Sequence, residues 1–174
     1  MRTAGRTLLV AALTLAAAAP AAAKPPTRHQ VAQAVAAAEK SSSLWATINI
    51  CNSHTHRDQI GVRGQMPALG LSATMSMTIT LNAWSSTDKK FEPINSPNAV
   101  ARIPLGSHSR GLEQGGTVYP FQSGETGLWN ASIVFTWTRQ GKVVGQTRRR
   151  TTAGHHTADF GSPPRYSAKQ CSIG

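Results

Sequence analysis

The chain has 174 residues, 18 Lys and Arg against 7 Asp and Glu, a formal net charge of +11 and two cysteines. That length suits one domain with a real hydrophobic core, and no apolar run is long enough to cross a bilayer. The charge favours contact with polyanions such as teichoic acid, anionic lipid, extracellular DNA or an acidic protein, or it serves solubility alone.

Residues 1–23 read as an export signal. Arg2 and Arg6 form a positive start, residues 8–18 are apolar, and Ala21, Ala22 and Ala23 supply the small residues a signal peptidase reads. Cleavage after Ala23 leaves 151 residues carrying +9. The residue right after that cut is Lys24, not a cysteine, so no lipid anchor is expected. The mature chain is then secreted or extracytoplasmic. Residues 24–42 form an arm: Lys24-Pro25-Pro26 is extended, and Val31, Val35 and Ala38 fall at helical spacing in an Ala-rich run. A helix this short needs docking to persist. The domain proper is 43–174.

Residues 44–51 alternate as a first strand, with Leu44, Ala46, Ile48 and Ile50 on one face and Trp45, Thr47, Asn49 and Cys51 on the other. A polar loop with His54 and His56 leads to a second strand near 59–66. Residues 71–84 show the most regular period. Leu71, Ala73, Met75, Met77, Ile79, Leu81 and Ala83 oppose a face of Ser, Thr and Asn, and Trp84 joins that polar face. Strict alternation predicts a long, half-buried antiparallel strand. Residues 85–99 read as a loop or irregular edge. Strands at 100–105 and 116–122 carry Pro104 and Pro120, which suit an edge or a bulge.

Trp129, Ala131, Ile133, Phe135 and Trp137 then recur at every second position, followed by Arg139-Gln140-Gly141-Lys142 as a tight turn. A two-residue turn at Gln140-Gly141 would pair Trp137 with Val144, Phe135 with Gln146 and Ile133 with Arg148. The last pairing does not suit a core. Either a bulge near Gly145 resets the face, or the return strand leaves the core early. Residues 166–173 offer a last edge strand that brings Cys171 towards Cys51. An exported chain usually pairs an even number of cysteines, and this loop would contribute roughly 4–5 kcal/mol.

About seven or eight strands at this spacing predict an all-β fold, an antiparallel two-sheet sandwich with a short N-terminal helix. The run Leu128-Trp129, Ile133, Phe135 and Trp137, its Gly-containing turn and Val143-Val144 resembles the last hairpin of immunoglobulin-like and fibronectin-like domains. The resemblance spans residues 44–152 and is one of architecture, to such a domain of a bacterial secreted protein. The antibody-type pair of sheet-linking cysteines is absent; here the cysteines lie near the ends of the domain. It implies a binding or spacer role.

Two constellations bear on chemistry. His54 and His56, with His155 and His156 on another loop, could supply three or four imidazole ligands for Cu(II) or Zn(II) if the loops met at one end of the sandwich. No Cys or carboxylate spacing completes a known metal motif. Arg148, Arg149 and Arg150, with Arg139 and Lys142, are the densest positive charge. On a strand Arg148 and Arg150 share a face and Arg149 takes the other. They could contact a polyanion or guard an edge against aggregation. Met75 and Met77 read as core, not as a thioether site. No nucleophile motif, carboxylate pair or phosphate loop selects an enzyme. The Asn130-Ala131-Ser132 sequon lies within a strand and is discounted. The expectation is a non-enzymatic binding or envelope-associated module without a cofactor. Its partner would be an anionic envelope polymer or an acidic protein, with nucleic acid not the specific target. The alternative is an extracytoplasmic Cu/Zn-binding protein.

Overall fold

Alternation builds one of the two longest inner strands. In the computed structural model, which describes residues 24–174, β3 (Ala73–Ser85) buries Ala73, Met75, Met77, Ile79 and Leu81, while its Ser and Thr side chains face outward. The expected export signal at 1–23 lies outside the described residues. The other elements are α1 (Arg28–Lys40), β1 (Trp45–Ser53), β2 (His56–Pro67), β4 (Lys90–Pro93), β5 (Val100–His108), β6 (Leu112–Pro120), β7 (Gly127–Arg139), β8 (Lys142–Arg150) and β9 (Cys171–Ile173).

All strand pairs are antiparallel. One sheet has the order β1-β2-β6. The second is built on β3 and β7: β4 and β5 share the free edge of β3, and β8 and β9 share that of β7. Ile48, Ile60, Val62 and Met66 from the first sheet meet Met77, Ile79, Ile133, Phe135 and Trp137 from the second in one core. The Trp137 indole N–H donates to Pro67 O at 3.0 Å, so the largest core side chain leaves no orphan donor.

The hairpin turn is tight as expected: Arg139 pairs with Lys142, and Gln140 and Gly141 both take positive φ, 50° and 73°. That is the backbone of a primed two-residue turn. The simple pairing does not continue. A register shift pairs Trp137 with Gly145, Phe135 with Thr147 and Ile133 with Arg149. The extra residue is a bulge, and it turns Arg148 outward and Arg149 inward. The segment 85–99 contains β4 and a 3₁₀ turn, Pro97–Ala99. The C-terminal strand is shorter than expected and pairs with β7.

The first sheet is narrower than the second, and α1 packs against β8 on the wider one. Thr27 and Gln30 close a capping box, at 2.8 and 3.2 Å. Val35 and Ala38 enter the core, and a Cβ at Gly145 would collide with Val35. At the other end Arg149 donates to the Glu39 carbonyl, one of the acceptors a helix terminus leaves open. These contacts supply the docking that a 13-residue helix requires.

Both faces of β1 are buried, not one. Residues 152–168 run along its free edge: Thr152 N–H donates to Ala46 O (2.8 Å), Ser162 N–H to Asn49 O (2.8 Å), and Ile48 and Ala168 exchange bonds of 2.9 and 3.0 Å. The same segment covers the outward side chains. The Thr47 and Ser167 hydroxyls lie 2.7 Å apart, and the Asn49 amide donates to Asp159 O at 2.8 Å. Trp45 stacks on His155 with centroids 4.8 Å apart. The Cys51–Cys171 disulfide joins residues 120 apart at the far end of this wrap. Among the described residues, no helix is long and apolar enough to cross a membrane.

Candidate functional site

The outer face of the second sheet is the candidate site. Strand register sets its rows, because directly paired residues point to the same side. One row reads Arg102, Thr78, Val134, Arg148 across β5, β3, β7 and β8. The next reads Val100, Thr80, Ser132, Arg150, and the row on the other side reads Pro104, Ser76, Thr136, Gln146. A floor of hydroxyls therefore lies between Arg102 on one edge and Arg148 and Arg150 on the other. Three strand spacings separate the two edges, about 14 Å, and Arg148 and Arg150 stand about 7 Å apart along β8.

All three arginines are exposed, and by register they are the charged residues that the strands set on this face among those described. The ion pairs among the described residues are Lys90–Glu92 at 3.1 Å and His108–Glu113 at 3.2 Å, and neither uses these arginines. At the far end of the face Asn82 donates to Asn130 Oδ1 (2.8 Å), and Trp84 packs edge-on against Phe91. Trp84 is 41% exposed, on the polar face where alternation set it.

Two of the five basic residues singled out from sequence, Arg148 and Arg150, share this face. Arg149 points inward and caps α1. Arg139 lies at the hairpin end, where it donates to Ser72 O at 2.8 Å, and Lys142 pairs beside it. Arg102 was missed. Its one sequence signal is alternation with Ala101 and Ile103, and only pairing with Thr78 aligns it with Arg148.

The histidines do not converge. His54 and His56 sit at the β1–β2 turn beside Ser53, and His155 lies against Trp45 at the other end of β1. The length of the strand, on the order of 25 Å, separates them. His56 Nδ1 is 3.0 Å from the Thr55 hydroxyl, His155 Nε2 is 2.8 Å from the Thr152 hydroxyl, and His156 Nδ1 is 2.8 Å from Arg165 O. Burial, and then the neighbouring His156, lower the His155 pKa. Among the described residues no three His, Cys, Asp or Glu side chains gather within reach of one metal ion.

No family model matches the chain, and no curated protein matches it. Among solved structures it is similar to a glycosyl hydrolase family 2 member from Bacteroides cellulosilyticus DSM 14838, at 8% identity and a TM-score of 0.36 over 66% of this chain. It is also similar to the Pseudomonas fluorescens alkylpurine DNA glycosylase AlkC bound to DNA containing an abasic site analog, at 10% identity and a TM-score of 0.31 over 62% of this chain. The chain spans 15% and 28% of the lengths of those two proteins.

Proposed function

We propose that this protein is an exported, non-enzymatic, immunoglobulin-like module that binds an anionic envelope polymer through the outer face of its wider sheet. The observation that carries the reading is the cross-strand alignment of Arg102 with Arg148 and Arg150 over a carboxylate-free hydroxyl floor. Guanidinium groups hold phosphate or carboxylate in forked, charge-assisted hydrogen bonds. Hydroxyls between them bond the uncharged parts of a polymer repeat. A flat face takes an extended chain without a pocket. Export is supported by the disulfide, which suits an oxidising compartment. The immunoglobulin-like assignment is supported by strand order: β1-β2-β6 against β3-β7-β8 with β4 and β5 at the edge corresponds to strands A, B and E facing C, F and G.

Titration of the protein with soluble poly(glycerol phosphate), and with neutral dextran as control, tests the proposal. The polyanion should bind and lose affinity about tenfold or more at high salt. Arg102→Ser/Arg148→Ser/Arg150→Ser should abolish binding, and Arg139→Ser/Lys142→Ser should leave most of it. Undiminished binding by the triple variant would refute the proposal.

A further inference from the structure

The two inner faces part at the end of β7 away from the β7–β8 turn. Trp129, paired with Ala83, is the outermost aromatic of that inner face. Phe121, just beyond β6, brings its ring to 4.8 Å from Trp129 at 53°. These rings wall an open cleft of about 720 Å³. Its lip is polar and comes from two connections: Ser96 and Asn98 precede β5, and Gln122 and Glu125 join β6 to β7. Glu125 Oε2 accepts the Gln122 backbone N–H at 2.9 Å, which holds the carboxylate in place. Ser96 Oγ accepts the Asn98 backbone N–H at 3.4 Å. The Asn98 and Gln122 side-chain amides and Glu125 Oε1 have no hydrogen-bond partner among the described residues. Glu125 is the one charged residue lining the cleft, in a chain of strongly positive charge.

We propose that this cleft binds a neutral sugar ring, one unit of an oligosaccharide. An aromatic wall facing a polar lip asks for a ligand with one apolar face and hydroxyls around its edge. A pyranose lays its C–H face on the electron-rich face of an aromatic ring. Its hydroxyls donate to the Glu125 carboxylate, and they both donate to and accept from the two amides. A purely apolar ligand would cover those groups and leave them unpaired. A polyanion would meet the like charge of Glu125. The cleft volume lies in the range of small-molecule sites. The site is separate from the arginine face and does not depend on it.

Calorimetry of the full exported chain with cellotetraose, maltotetraose and chitotetraose, at a salt concentration that silences the arginine face, tests this. At least one sugar should bind saturably and perturb tryptophan fluorescence. Phe121→Ala and Glu125→Gln should each weaken that binding about tenfold or more, with circular dichroism and melting unchanged. Arg148→Ser/Arg150→Ser should not weaken it. If Phe121→Ala loosens the fold, Glu125→Gln alone decides. Failure of all three sugars overturns the proposal. So does binding that survives Glu125→Gln, or binding of benzyltrimethylammonium with no sugar bound.

Discussion

On the outer face of β1-β2-β6, Thr47 and Asn49 bond to residues of the C-terminal wrap, and the Arg63 guanidinium lies 4.9 Å from the centre of the Phe160 ring. On the outer face of β3-β7-β8, the side chains of Thr78, Thr80, Arg148 and Arg150 bond to no protein group among the described residues. Both strands, β1 and β3, alternate apolar and polar side chains, so the binary pattern alone does not separate them. The difference lies in what the chain does next. It returns over one face and pairs the buried Thr47 and Asn49 side chains, as burial demands, while Arg63 Nε is buried there with no hydrogen-bond partner among the described residues. The chain leaves the other face to water or a partner. Burial also pulls the Arg63 pKa below its ordinary value, and Asp159 opposes that shift. A charge thus sits under the wrap with an aromatic ring and a carboxylate as its neighbours.

The strongest way to break this contrast is to open the covered face. Cys51→Ser/Cys171→Ser removes a link across 120 residues. Urea unfolding should show a loss of about 5 kcal/mol by the chain-entropy model, and protease should cut within 152–168 first. Unchanged stability would mean that the wrap holds without its clasp. Next comes a matched pair of substitutions. Asn49→Leu orphans the Asp159 carbonyl and should cost about 1–3 kcal/mol. Thr78→Leu on the open face should stay within about 0.5 kcal/mol. Equal costs would show that the two faces are not different in kind. Phe160→Ala should cost about 0.5–1 kcal/mol, since that ring is 80% exposed and contributes mainly through Arg63.

The smallest effect is a pH dependence confined to the wrap. His155 titrates lower in the folded chain than in the unfolded one. Its contribution is therefore fully present above the unfolded value, about 6.5, and declines as pH falls through the depressed folded value. Amide protection factors in residues 152–168, with the intrinsic pH dependence of exchange divided out, should fall below about pH 6.5. His155→Phe, which keeps a ring to stack on Trp45, should remove that dependence. A dependence that survives in the variant would place the sensor elsewhere.

Much of this architecture is legible in the residues. Met75, Met77, Phe135 and Trp137 are buried where alternation put them, and Thr74, Ser76 and Thr136 face the other way. The turn at Gln140-Gly141 follows from the freedom of Gly141 to take positive φ, while Gln140, at 50°, has no such freedom and is held there by the hairpin pairing. Inward and outward side chains are set by a period of two, which is a local property. The candidate face is legible only in part. Arg148 and Arg150 stand together because they are two residues apart, but Arg102 joins them through a pairing with β3 that no local pattern encodes.

The amino-acid order by itself determined the strand periods, the tight turn, the charge and the two cysteines available to pair, because each depends on near neighbours. Tertiary structure decided the rest. It folded the C-terminal segment over β1, so that Trp45, Thr47 and Asn49 became interior. It put a bulge after Trp137 that sent Arg149 to the helix and Arg148 outward. It set the two histidine pairs at opposite ends of one strand. Register and chain return are long-range choices. They follow from which buried polar groups find partners and which apolar faces find each other.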